Sequence, residues 1–149
     1  MFKLSTRDRL SRWREFRLEL DSLSLDLAVD YTSKFWTSCP FNPYYLDLKQ
    51  PNSWPDPWQL IEENYYCDLA KTLGIVYTLY LTKHGPQLQP EIKVYLDKKT
   101  RYQYHIADFC HGKYVLNLIE GQVVNKEHIN QELKLLRSYT ARDLQLEKY

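Results

Sequence analysis

Between residues 40 and 57 the chain places five prolines, Pro40, Pro43, Pro51, Pro55 and Pro57, and this cluster limits the fold more than any other feature. Proline fixes φ and lacks a backbone N–H, so neither a regular helix nor a central strand runs through such a stretch. The same stretch carries Phe41, Tyr44, Tyr45, Leu46 and Trp54, which is too apolar for a flexible linker. It therefore reads as an ordered, extended wrap over residues 38–56, inside a single domain spanning 1–149. The wrap separates a helical N-terminal part, 1–37, from a helix-plus-sheet part, 57–124, and a C-terminal segment, 125–149.

Before the wrap the apolar residues recur at helical spacing. Leu10, Trp13, Phe16 and Leu20 share one face, with Ser5 and Thr6 ahead of them as entry signals. Leu23, Leu27, Ala28, Tyr31 and Phe35 form a second stripe, with Asp21 or Ser22 as its cap. Two helices joined by a short turn, or one long bent helix, satisfy this pattern. The first carries Arg7, Arg9, Arg12, Arg14 and Arg17. Arginines beside Trp and Phe can meet phosphates, but Asp8, Glu15 and Glu19 are interspersed, so the spacing favours a solvated helix face and nucleic acid is not the expected partner.

After the wrap, Asp56-Pro57-Trp58-Gln59 is a sharp helix start: an N-cap, a proline at the first position and a residue able to complete a capping box. Trp58, Ile61, Tyr65, Leu69 and Leu73 continue one face, which predicts a helix over 57–73 stopped by Gly74. Alternation then predicts strands at about 75–82, 92–96, 101–110 and 114–119, with a short edge piece at 122–124. Short connections make them an antiparallel meander. Asn125 can cap a last helix, with Ile129, Leu133 and Leu136 on its buried stripe. The expected class is α+β: N-terminal helices and one central helix on one face of a four- to five-stranded antiparallel meander, closed by a C-terminal helix.

Composition excludes several functions. The net charge of +1 creates no field toward nucleic acid or membrane. With 4 Gly there is no glycine-rich phosphate loop, and no cofactor is expected. Cys39, Cys67 and Cys110 are odd in number and widely spaced, which suits reduced thiols better than a disulfide framework. The charged start and the lack of a long apolar run predict a soluble protein made in the cytoplasm, with no membrane partner. A surplus of aromatics, 13 Tyr, 4 Trp and 5 Phe, suits cores and protein interfaces alike.

Cys67, His105 and Asn117 are the sharpest chemical set: a thiol nucleophile, a base to take its proton and a group to orient that base. A metal site from His105, Cys110 and His111, with Cys67, is weaker, because adjacent strand residues point to opposite faces; no metal site is expected. Asp108 and Glu120 are candidates for a carboxylate pair.

The segments YYCDLAKTLGI, YHIADF and YVLNL resemble, in order Cys, His, Asn, the papain-like and transglutaminase-like folds. That resemblance covers residues 57–119 and implies a small cysteine hydrolase or acyltransferase. In that family the cysteine opens its helix, where the dipole favours the thiolate. A helix starting at Pro57 leaves Cys67 mid-helix, unless Glu62-Glu63-Asn64 break it and a second helix starts near Tyr66.

A second resemblance rests on WREFR, FWTSCPF, WPDPWQLI and LGIVYTLYL, which are similar to small uncharacterised structural-type proteins of tailed bacteriophages. It implies a non-enzymatic structural or assembly protein, in the host cytoplasm or in a virion. Its partners would be other proteins, phage structural subunits first, and homo-oligomers stay open. The contacts would run through Trp13, Tyr44, Tyr45, Trp54 and the C-terminal tail. This is the leading expectation and the cysteine hydrolase is the alternative.

Overall fold

A computed structural model describes residues 1–43 and 46–149; Tyr44 and Tyr45, two of the expected partner-binding residues, lie outside the described residues. The fold is α+β, with four α-helices and one five-stranded antiparallel sheet among the described residues. Two N-terminal helices, α1 (Thr6–Asp21) and α2 (Leu25–Phe35), precede the wrap. Ser5 caps α1 by accepting from the Asp8 N–H, and Ser24, not Asp21 or Ser22, caps α2 by accepting from Leu27. Arg9, Trp13, Phe16 and Leu20 line the buried face of α1, so one arginine of the basic set is a core residue.

Helix α3 (Pro57–Glu63) opens with the full capping box: the Asp56 side chain accepts from the Gln59 N–H, and the Gln59 side chain from the Asp56 N–H. It does not run to residue 73. Asn64 ends it in the left-handed conformation, φ 56°, which asparagine tolerates better than most residues. The unpaired carbonyls of its last turn are taken by Arg9, which donates to the carbonyls of Ile61 (3.1 Å) and Glu62 (2.8 Å). The Asn64 side chain also donates to the Phe2 carbonyl at 3.0 Å. An isolated parallel bridge between Phe41 and Tyr66 then holds the chain extended until a second helix, α4 (Asp68–Tyr80), begins with Cys67 as its N-cap.

Helix α4 is the centre of the molecule, with residues 75–80 in its second half where the alternation suggested a strand. Ten of its 13 residues are buried, including Ile75, Val76 and Thr78. A helix that is apolar all round shows no 3.6-residue period, and its β-branched residues mimic a strand. Gly74 is therefore not a stop. A Cβ there would lie 2.3 Å from the Trp36 ring, so glycine is what lets that indole lie against α4.

The sheet runs β4-β3-β2-β1-β5, from β1 (Glu91–Asp97), β2 (Gln103–Phe109), β3 (Tyr114–Leu116), β4 (Val123–Val124) and β5 (Leu133–Tyr139). The first four strands form the meander expected over 92–124, without the strand expected at 75–82. The expected C-terminal helix is instead β5, paired antiparallel with β1 around an irregularity at Val94/Tyr95. Leu133-Lys134-Leu135-Leu136-Arg137 suits a helix by propensity. The open edge of β1 offers unpaired N–H and C=O groups, and pairing with it overrides that preference. The main core lies between the helices and one sheet face; Tyr95, Ile106 and Val115 make a smaller cluster apart from it. Among the described residues no helix is long and apolar enough to cross a membrane.

Candidate active site

The break between α3 and α4 determines where the thiol stands. Cys67 has extended backbone, φ −79° and ψ 175°, directly ahead of α4, so its side chain sits at the positive end of the helix. The side chain is almost fully enclosed, at 4% exposure, at the base of a cleft of ≈ 300 Å³. His105 from β2 and Asn117 from the end of β3 line the same cleft. His105 stands opposite Val94 in the sheet register, on alternation with Ala107 and Phe109, which belong to the main core. Asn117 leaves the ladder with φ 69° just after β3.

The three candidate residues therefore share one cleft, but the hydrogen bonds distribute their roles differently from the sequence expectation. The Asn117 amide donates to the His105 main-chain carbonyl at 3.0 Å and to Thr72 Oγ1 at 3.2 Å. Thr72 in turn directs its hydroxyl to the carbonyls of His105 (2.8 Å) and Asp68 (2.9 Å). The observed bonds of Asn117 thus fasten the backbone of β2 to α4. Among the described residues, His105 Nδ1 is buried without a hydrogen-bond partner. Burial pushes this imidazole below the ordinary histidine value of 6.5, against the opposing pull of the Asp68 carboxylate. A ring so placed is neutral at pH 7, which is the form that accepts a proton.

Sequence reasoning passed over Asp68, Thr72, Lys71 and Cys39, which complete the site. Asp68 follows the thiol directly and accepts from the Tyr102 hydroxyl at 3.4 Å. Lys71, one helical turn on, pairs with Glu120 at 3.0 Å across the cleft. Cys39 lines the same cleft, but burial pushes its thiol up to about 11, so at neutral pH it stays protonated. The spacing of 68, 71 and 72 after the thiol was the available signal, and it becomes readable once the helix is known to start at Cys67.

The other sequence candidates fall elsewhere. Cys110 lies in the β2–β3 turn, its thiol donating to the Gln87 carbonyl at 3.4 Å. Asp108 is buried between Lys93 (3.1 Å) and the Gly112 N–H (2.7 Å), so it forms no pair with Glu120. Trp13 is wholly buried, and its indole donates to Thr78; Trp54 is buried and donates to the Asp47 carbonyl. The tail docks within the chain, Tyr149 lying edge-on to Trp58 and Tyr77. The arginines of α1 are partly absorbed as well: Arg9 is a core pin, Arg12 pairs with Glu19, and Arg17 lies over the Trp13 ring.

No family model and no curated protein matches this sequence. Solved structures do. Legionella pneumophila LapG in its calcium-bound form matches with a TM-score of 0.72 at 15% identity, over 93% of this chain and 78% of that one. LapG without that qualification matches with a TM-score of 0.69 at 16% identity, over 91% and 75%. The EGTA-treated form matches with a TM-score of 0.69 at 16% identity, over 91% and 74%. These likenesses overturn the resemblance to tailed-bacteriophage proteins, and with it the leading expectation of a non-enzymatic phage assembly protein. Trp13, Trp36 and Trp54 in those word patterns are core residues while Trp58 is exposed, so the patterns record packing more than partner contacts.

The calcium-bound form of LapG raises a question that the residues answer. Calcium takes six to eight oxygen ligands. Here the residues flanking Cys67 are Tyr66 and Asp68, and among the described residues no group of three or more His, Cys, Asp or Glu side chains can hold a metal ion. The donor set does not fit the ion. At these identities the comparison extends to architecture alone: the chain has the fold of LapG.

Proposed function

We propose that this chain is a papain-like cysteine hydrolase whose active site is the Cys67 cleft. The observation that carries the reading is the position of Cys67 at the first turn of α4 with His105 lining the same cleft. The LapG-like fold adds support, since it suggests a papain-like cysteine protease. His105 takes the thiol proton, and Cys67 Sγ attacks the acyl carbon of an amide or ester. The oxyanion forms beside the start of α4, where the first N–H groups of a helix have no intrahelical acceptor. His105 returns its proton to the leaving group, and water hydrolyses the thioester; an amine in place of water makes the same site an acyltransferase. Thr72 and Asn117 are positioning residues that hold the His105 backbone against α4.

The test is alkylation of the native protein with iodoacetamide at pH 7, resolved by peptide mass. Cys67 should react faster than Cys39 and Cys110, whose thiols burial raises. His105→Ala should slow it at least about tenfold. Labelling of Cys67 that requires unfolding, or that ignores His105, overturns the reading.

A further inference from the structure

Cys67 borders two cavities of different character. Besides the ≈ 300 Å³ cleft, a second cavity of ≈ 180 Å³ shares part of its lining. Phe41, Cys67, Asp68 and His105 border both. Among the described residues, the second cavity is completed by Leu46, Leu48, Leu69 and Gln103, so its wall is mainly aliphatic. The first instead ends at Lys71 and Glu120, with Tyr102 and Tyr104 along it.

Lys71 and Glu120 are unequal partners. The lysine side chain is 13% exposed and the glutamate 63%. The lysine stem is packed in the wall, so its charge is held at one place on the cleft rim, where it keeps an anion beside it. The exposed carboxylate, beside the Gly121 turn, can leave for water at little cost. An incoming carboxylate can therefore take the place of Glu120 on Lys71 and keep the lysine charge paired. The ends of the site thus ask for different groups: an aliphatic side chain at one, an acidic side chain at the other, with the reacting carbonyl over Cys67 between them.

The geometry points to an extended polypeptide as substrate, cleaved between a residue whose neighbourhood supplies an aliphatic side chain to the Leu46–Leu48–Leu69 cavity and one that supplies an Asp or Glu to Lys71. This rests on the proposed hydrolase reading and adds the substrate class. Phe41, 71% exposed at the border of both cavities, is the apolar surface over which such a chain would pass.

The experiment is a cleavage profile on a mixture of defined-sequence peptides, read by mass spectrometry, with iodoacetamide labelling of Cys67 measured in parallel. Cleavage sites should pair an aliphatic residue on one side with Asp or Glu on the other. Lys71→Met should lose the acidic preference about tenfold while keeping the aliphatic one. Lys71→Glu should turn that preference toward Lys and Arg. Leu48→Trp, which fills the smaller cavity, should lose the aliphatic preference and keep the acidic one. Thermal melts show that each variant is folded. Cleavage without these preferences, or preferences unmoved by the variants, overturns the subsites and leaves the hydrolase standing. No cleavage with a fast-reacting Cys67 overturns the polypeptide substrate. No cleavage with an inert Cys67 overturns both readings.

Discussion

Thr72 and Thr78 lie on the same helix, both fully buried, and each turns its hydroxyl back to the carbonyl four residues earlier. Their surroundings differ. Thr78 gives its proton to Gly74 and accepts the indole N–H groups of Trp13 and Trp36, each at 3.0 Å. One donor and two lone pairs are all used, and that end of α4 is closed. Thr72 has the same single proton but two carbonyls within reach, those of Asp68 and His105, and it accepts from Asn117. Its bonding is shared and exchangeable, beside a cleft. The two ends of one helix teach that a buried hydroxyl can lock a core or tether a reactive strand, depending on whether its hydrogen-bond count closes.

The largest effect should come at the open end. His105→Ala should lower any hydrolytic kcat/KM by about 10²–10⁴ while leaving the melting temperature nearly unchanged, since among the described residues nothing bonds its buried Nδ1. Steady-state kinetics beside a thermal melt would separate the two. An equal loss of stability and rate would assign the histidine to the core instead.

Next comes the closed end. Thr78→Val should cost about 2–4 kcal/mol in denaturant unfolding, because two indole N–H groups lose their acceptor in a dry interior. The alkylation rate of Cys67 should hold steady in the folded variant. Thr72→Val should show the reverse balance: about 1–2 kcal/mol of stability, and a severalfold slower alkylation as His105 loses one of its two tethers. If the two variants behave alike, the contrast between the ends is broken.

Acid should sharpen it further. The buried His105 binds its proton less readily than the same residue in the unfolded chain, whose value is near 6.5. Its contribution to stability is therefore complete above that value and is lost as the pH falls through the lower, folded value. Melting temperature should decline from pH 7 toward pH 5, with a shallower decline in His105→Gln. The smallest effect is expected from EGTA: with no fitting donor set, chelation should change neither the melting temperature nor the rate of Cys67 alkylation.

Sequence patterns exposed the parts of this architecture that rest on local rules. The capping box of Asp56 and Gln59 formed as its residues demand, and alternation located β1 to β4. Three features escaped the main reading because their causes are distant, although a break at Glu62-Glu63-Asn64 stood as its alternative. The end of α3 depends on Arg9, far back in α1; the second half of α4 is apolar on every side; and β5 answers an edge that only the folded sheet creates. The site follows the same division. Cys67, His105 and Asn117 were readable as residue types in order, whereas the bond of Asn117 to a main-chain carbonyl and the Lys71–Glu120 pair across the cleft required the fold.

Arg9 carries a consequence for anyone altering this chain. It touches neither cavity, and a survey of variants ranked by distance from Cys67 would pass over it. Yet its guanidinium occupies the carbonyls at which one helix stops so that another can begin with the thiol. A lysine there keeps the charge and loses the planar fork that reaches Ile61 and Glu62 together. The reactivity of Cys67 is thereby hostage to a junction, and an apparently remote, conservative exchange in α1 becomes a means of moving the nucleophile without touching it.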